Sequence, residues 1–171
     1  IASYFCVGNP WKGVPGMIVS ALLQQNPVMV YAGQEFGERG MDKEGFSGQD
    51  GRSTIFDYWT SDTVYKGFFN RDALTTDEKK LSLIYQGLIR FCNREKAVRE
   101  GLAFDLMYVN QQSHQFNPHK QFVFLRKADD EVLLVVANFD QERVQINVTI
   151  PAHAFDFLGI PEQEVEMTDL L

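Results

Sequence analysis

The stretch NPVMVYAGQEFGERG, residues 26 to 40, constrains the fold more than any other part of the chain. Val28 to Ala32 form an unbroken apolar and aromatic run, framed by Pro27 and Gly33, and the chain then turns at once to Gln34, Glu35, Glu38 and Arg39. An apolar run of that length between turn residues suits a strand covered on both faces better than an edge strand. The preceding GVPGMIVSALLQQNP predicts a short helix. Pro15 falls near its first turn, Met17, Ile18, Ala21 and Leu22 supply an apolar side, and Asn26-Pro27 stops it. A helix feeding a doubly buried strand is the grammar of a parallel α/β sheet or barrel.

A long excursion without clear periodicity follows, holding Gly37, Gly40, Gly45, Gly48, Gly51 and Gly67 among charges and aromatics. Loops of such length are usually functional. Thr75-Thr76-Asp77-Glu78 then reads as a capping box, with the Thr75 hydroxyl and the Glu78 carboxylate each satisfying the other residue's amide, so a helix should begin at Thr76. Leu81, Ile84, Tyr85, Leu88, Ile89 and Cys92 recur at three- and four-residue steps and mark its packing face, and Gly101 supplies a stop. Beyond Gly101 the pattern changes. AFDLMYVN, QFVFLRKADDEVLLVVANFD, ERVQINVTI and VEMTDLL are short Val-, Ile- and Phe-rich runs, which predict antiparallel β-structure. Asp129-Asp130 is the expected hairpin turn, with VLLVVANF as a central strand. The expected boundary lies near Leu102, dividing the chain into 1–102 and 103–171.

Composition excludes several classes. With 171 residues and 44% hydrophobic content, the chain has enough apolar material for a packed core. Sixteen basic residues against 23 acidic give a net charge of −7, which argues against a nucleic-acid partner. No apolar run approaches the roughly 20 residues that span a bilayer, so no membrane partner is expected, and no targeting signal points to a compartment. The two cysteines, Cys6 and Cys92, are far apart and fit no metal pattern; they read as buried thiols. His114, His119 and His153 all fall in the sheet-rich tail and read as surface or loop residues.

The order of elements and motifs resembles the C-terminal portion of glycoside hydrolase family 13, the α-amylase family. The last barrel strand of that family carries a Pro-x-x-x-Tyr-x-Gly-x-Glu type of pattern, and Pro27, Tyr31, Gly33, Gln34 and Glu35 stand here in that order. DGRSTIFDYW is similar to the Arg-containing stretch that follows. Leu81, Tyr85, Leu88, Ile89, Ala97 and Gly101 match the family's final barrel helix. The resemblance implies an α/β plus all-β chain: the last β/α elements of a (β/α)8 TIM barrel over 1–102, then an antiparallel β-sandwich domain over 103–171, truncated at both ends.

The function that follows from the resemblance is that of an α-amylase-like glycoside hydrolase of α-linked glucans, starch and maltooligosaccharides, working by a retaining mechanism. Its aspartate nucleophile, glutamate acid/base and second aspartate would all precede Ile1, so the fragment alone should be inactive. Within this chain the resemblance points to Arg52 and Asp50 for substrate binding, although the family's aspartate four residues before the arginine is replaced here by Gly48. A guanidinium fork and a carboxylate suit sugar hydroxyls because they fix donor and acceptor together. An Arg52 that merely ties the loop to Asp57 or another acid is at least as good a reading, and Tyr58 and Trp59 fit a loop anchor better than a sugar platform. Gln34 and Glu35 support the floor of the site. No cofactor is implied within the chain. Calcium is admissible in the parent enzyme, but Asp42, Glu44 and Asp50 do not follow a known calcium-loop spacing. The partners implied are the glucan and the rest of the barrel upstream. An isolated strand at 28–32 with two open edges should self-associate. The rival from another class is a non-catalytic carbohydrate-binding or scaffold protein related to the amylases.

Overall fold

The computed structural model describes residues 6, 8–38, 62–161, 163 and 166–170. The chain divides into two compact units, one of residues 1–14 and 28–89, the other of 15–27 and 90–171. Along the described residues the order is helix α1 (Val14–Leu22), α2 (Asp62–Phe69), α3 (Thr76–Arg94), α4 (Lys96–Arg99), strand β1 (Leu102–Asp105), α5 (Met107–Asn110), β2 (Gln121–Ala128), β3 (Glu131–Asn138) and α6 (Ala152–Leu158). These residues contain neither a barrel nor a two-sheet sandwich; they hold one three-stranded antiparallel sheet, ordered β1-β2-β3, and helices. None of those helices is long and apolar enough to cross a membrane.

In the first unit, Val28 to Tyr31 form no strand, and Met29 is 80% exposed. The physical reason is the absence of a ladder partner among the described residues, since an isolated strand leaves its amides and carbonyls unpaired. The chain then enters a 3-10 turn, Gln34–Phe36, flanked by two left-handed glycines, Gly33 at φ 86° and Gly37 at φ 76°. Phe36 is buried, and its ring lies so close to α2 that a Cβ on Gly67 would sit 2.2 Å from it. Helix α3 starts as its capping box dictates: the Thr75 amide donates to the Glu78 carboxylate at 2.7 Å and the Glu78 amide to the Thr75 hydroxyl at 3.2 Å. Leu81, Tyr85 and Leu88 of its expected packing face are buried, whereas Ile84 is exposed.

In the second unit the β2-β3 hairpin is central to everything else. Its two-residue turn is Asp129-Asp130, with Asp129 in the left-handed region at φ 47°, and the ladder runs from Ala128 opposite Glu131 to Gln121 opposite Asn138. Phe104, Val123, Leu125 and Leu134 share one sheet face and pack with Leu106, Phe116, Ala154 and Leu158. The other face presents Phe124, Arg126, Leu133 and Val135, all buried, and α4 lies against this hairpin. MYVN of AFDLMYVN forms helix α5, the described part of VEMTDLL, residues 166–170, forms no strand, and two further expectations differ from the outcome. VLLVVANF is the edge of the described sheet, not its centre, and ERVQINVTI carries no ladder. Ile146, Val148 and Ile150 nonetheless point into the core at strand period. The side-chain amide of buried Asn110 stands in for a neighbouring strand there: it accepts from the Thr149 amide at 2.8 Å and donates to the Thr149 carbonyl at 3.0 Å.

The short α4 is held at both ends by hairpin residues. One carboxylate oxygen of Glu131 accepts from the amides of Lys96 and Ala97 at 2.9 and 3.3 Å, while the Arg126 guanidinium donates to the carbonyls of Ala97 and Val98 at 2.9 and 2.7 Å. A third bond from Arg126 reaches Leu23, just after α1, at 2.8 Å. Negative charge at a helix start and positive charge at its end both match the helix dipole. Gly101 is needed for close approach and not for a left-handed turn, because a Cβ there would lie 2.2 Å from the Ala97 carbonyl oxygen and 2.6 Å from that of Lys127.

Candidate functional site

The stretch that carries the resemblance folds into a turn whose backbone is fixed before any side chain acts. Gly33 gives its carbonyl to both the Phe36 and Glu38 amides, at 3.0 and 2.9 Å, while the Gln34 amide donates to Tyr31 at 2.9 Å. A Cβ on Gly33 would meet Val64 at 2.6 Å, and its φ of 86° disfavours any other residue. The tight turn therefore places Gln34 and Glu35 side by side at the end of the apolar run.

Their surroundings differ. Gln34 spans two motifs: its amide nitrogen donates to the Tyr85 hydroxyl of α3 at 3.0 Å, and its oxygen accepts from the Tyr31 amide at 3.4 Å. Glu35 is half-buried, and one of its carboxylate oxygens is buried with no partner among the described residues. Burial pushes its pKa above the usual carboxylate range, opposed by backbone amides of the turn and by the positive charge of Arg71. Tyr85 is also raised, first by burial, with the Gln34 bond opposing and the nearby Glu35 charge adding. Arg71 itself lies over the Phe36 ring at 5.7 Å and donates to Ser82 at 3.4 Å.

Chemically this arrangement holds a turn and retains a carboxyl whose charge is costly. Asp50 and Arg52 lie outside the described residues, as do Asp42, Glu44, Asp57, Tyr58 and Trp59. No group of three or more His, Cys, Asp or Glu side chains able to hold a metal occurs among the described residues. All three histidines are exposed, and both cysteines are free thiols of intermediate exposure.

Sequence reasoning placed Tyr85 on a packing stripe and did not single out Arg71 or Ser82. A buried tyrosine needs a partner for its hydroxyl, and that requirement was the available signal pointing from Tyr85 to Gln34. Nothing local in the sequence announces Arg71. Compared with protein-family models, with curated proteins and with solved structures, the chain matches none of them.

Proposed function

We propose that this chain is the C-terminal part of an α-amylase-like glycoside hydrolase of α-linked glucans, with its catalytic carboxylates upstream of Ile1. The reading rests on the order of motifs, and the observation that carries it furthest is the Gln34–Tyr85 hydrogen bond. That bond joins the two stretches on which the resemblance was drawn, the Tyr-x-Gly-x-Glu run and the Tyr-containing helix. Two segments that share only a packing stripe would not need it.

In a retaining reaction one carboxylate attacks the anomeric carbon while an acid protonates the leaving oxygen. Water, activated by the same acid/base residue, then releases the sugar, the two carboxyl groups lying about 5 to 5.5 Å apart. Neither group is assigned to this chain. On this reading its contribution is to supply Arg52 and Asp50 for sugar hydroxyls, with Gln34 and Glu35 as supports of the site. Calcium enters no step.

Two measurements test the reading. Purified chain assayed on starch and maltooligosaccharides should give no turnover above buffer; clear turnover places the catalytic residues here and overturns the assignment. In the polypeptide that precedes Ile1, an Asn-His-Asp motif close to the junction and an Asp and a Glu further upstream are expected. Other residues at those positions favour the non-catalytic scaffold instead.

A further inference from the structure

Four aromatic rings from three elements of the second unit meet at its surface. Phe104 of β1 is the common neighbour, its ring centroid lying 6.4 Å from that of Tyr108 in α5 and 5.5 and 5.8 Å from those of His153 and Phe157 in α6. Phe157 is 58% exposed and Tyr108 45%, and His153 is exposed as well. Single exposed apolar residues are ordinary, but a contiguous group of them marks a binding surface. The outer three rings are not needed as filling, because Leu106, Ala154 and Leu158 already occupy the core beneath them. Those buried residues also fix the facet. Leu106 lies between Phe104 and Tyr108 in sequence, Ala154 follows His153 and Leu158 follows Phe157, so each ring stands on an anchored stretch of chain.

The geometry selects a class of ligand. The ring planes are inclined to one another by 42 to 60°, so none is stacked flat on another and the exposed rings keep a face for a ligand. A hydrogen bond of 2.5 Å joins the Tyr108 hydroxyl to Nε2 of His153 within the facet. The hydroxyl and the second ring nitrogen of His153 can each serve a further polar partner. Ring faces beside such groups suit a ligand with C–H bonds on its flat side and hydroxyls on its rim, which describes a pyranose. Asp105 and Asp156 adjoin Phe104 and Phe157 in sequence, and the whole chain carries −7, so an anion is disfavoured. Rings this open do not form the closed cage that a quaternary ammonium requires. A protein partner is disfavoured by size: aromatic side chains of about 150 to 250 Å² each, partly covered, leave on the order of 300 Å² in solvent, whereas a stable interface takes about 800 Å² from each partner.

We propose that this facet binds an uncharged gluco-oligosaccharide, with pyranose faces on Tyr108 and Phe157 and hydroxyls at the Tyr108–His153 pair. The inclined rings fit an α-linked chain, which turns from one sugar to the next, better than a flat β-linked ribbon. That choice of linkage rests also on the functional reading above. The facet belongs to the second unit, whereas the Gln34–Glu35 turn belongs to the first, so it is a separate place for the same class of glucan.

Maltohexaose titrated into the full chain and followed by nuclear magnetic resonance should shift the signals of Phe104, Tyr108, His153 and Phe157. The double variant Tyr108→Ala with Phe157→Ala should weaken binding at least tenfold with unchanged circular dichroism, since both side chains stand largely in solvent. Tyr108→Phe, which keeps the ring and loses the hydroxyl, should weaken it by a smaller factor of about three. Added salt should leave the affinity unchanged because the ligand carries no charge, and cellohexaose should bind less tightly than maltohexaose. No shift at these residues, binding that survives the double variant, a strong salt dependence, or equal affinity for cellohexaose overturns the proposal. None of those results bears on the catalytic reading, which is decided by the residues upstream of Ile1. A missing upstream Asn-His-Asp would in turn leave this facet in place.

Discussion

Two runs of nearly the same composition meet opposite fates in this molecule. Val28-Met29-Val30-Tyr31-Ala32 forms no strand and leaves Met29 in solvent, while Val132-Leu133-Leu134-Val135-Val136-Ala137 forms most of β3 and buries every second side chain. Both have the β-branched content that favours strands. The difference is the neighbour. The second run follows β2 across a two-residue turn, so its ladder partner is supplied locally at little entropic cost. The first has helix α1 before it and a 3-10 turn after it, and neither can pair with it. Apolar composition specifies a strand only where the chain also delivers the strand beside it.

The sharpest way to break this contrast is to place one charge in each run. Val135→Lys, at a buried position, should cost about 3 to 5 kcal/mol and unfold the second unit in urea titrations followed by circular dichroism. Met29→Lys should stay within about 0.5 kcal/mol. Equal effects would mean that the first run is as well packed as the second.

Next in size is Arg126→Met. Arg126 is 1% exposed and donates to three carbonyls; its removal takes the side-chain donor from those of Val98 and Leu23, while that of Ala97 keeps the Gly101 amide, at a cost of about 3 kcal/mol. Loss confined to the second unit is expected by residue-resolved hydrogen exchange, and a loss spread evenly over both units would contradict the division. Glu131→Ala removes the acceptor for two amides at the start of α4 and should cost about 1 to 2 kcal/mol, read as a lower urea midpoint with an unchanged slope.

The smallest effect belongs to the first unit and depends on pH. Glu35 has a raised pKa because it is desolvated, so the folded state holds its proton more tightly than the unfolded chain does. Stability from this group is therefore full below the unfolded carboxyl range and declines as pH rises through the raised value. Glu35→Gln, which cannot ionise, should gain on the native chain as pH rises above the unfolded carboxyl range. Solvent screening of a half-buried group limits that gain to about 1 kcal/mol. A variant less stable at neutral pH than at acid pH, relative to the native chain, would show that the Glu35 charge is instead compensated.

What the sequence made legible follows from the range of each interaction. The Thr75–Glu78 capping box and the Asp129-Asp130 turn are local, and both were readable as written. The alternation in ERVQINVTI predicts a paired strand, but alternation reports burial and says nothing about hydrogen bonding: Ile146, Val148 and Ile150 do face the core, while Thr149 is served by the Asn110 side chain. By alternation alone Arg126 is one more residue of a strand. Its three carbonyl partners lie 28, 29 and 103 positions away, beyond any local pattern. At the candidate site, Gln34 and Glu35 were visible from their place after an apolar run, but the partners that define them, Tyr85 and Arg71, come from elements that follow much later.

The way α4 is held also bears on the order of events in folding. Four residues are too few to make a helix unaided, since nucleation costs more than one turn returns. Glu131 and Arg126 supply what is missing at the two ends, and both become available in the right place only after β2 and β3 have paired. Helix α4 should therefore form only together with the hairpin, and its amide protons should exchange with solvent at the rate at which the hairpin opens. Those few amides serve as a built-in clock for the cooperative unit to which they belong.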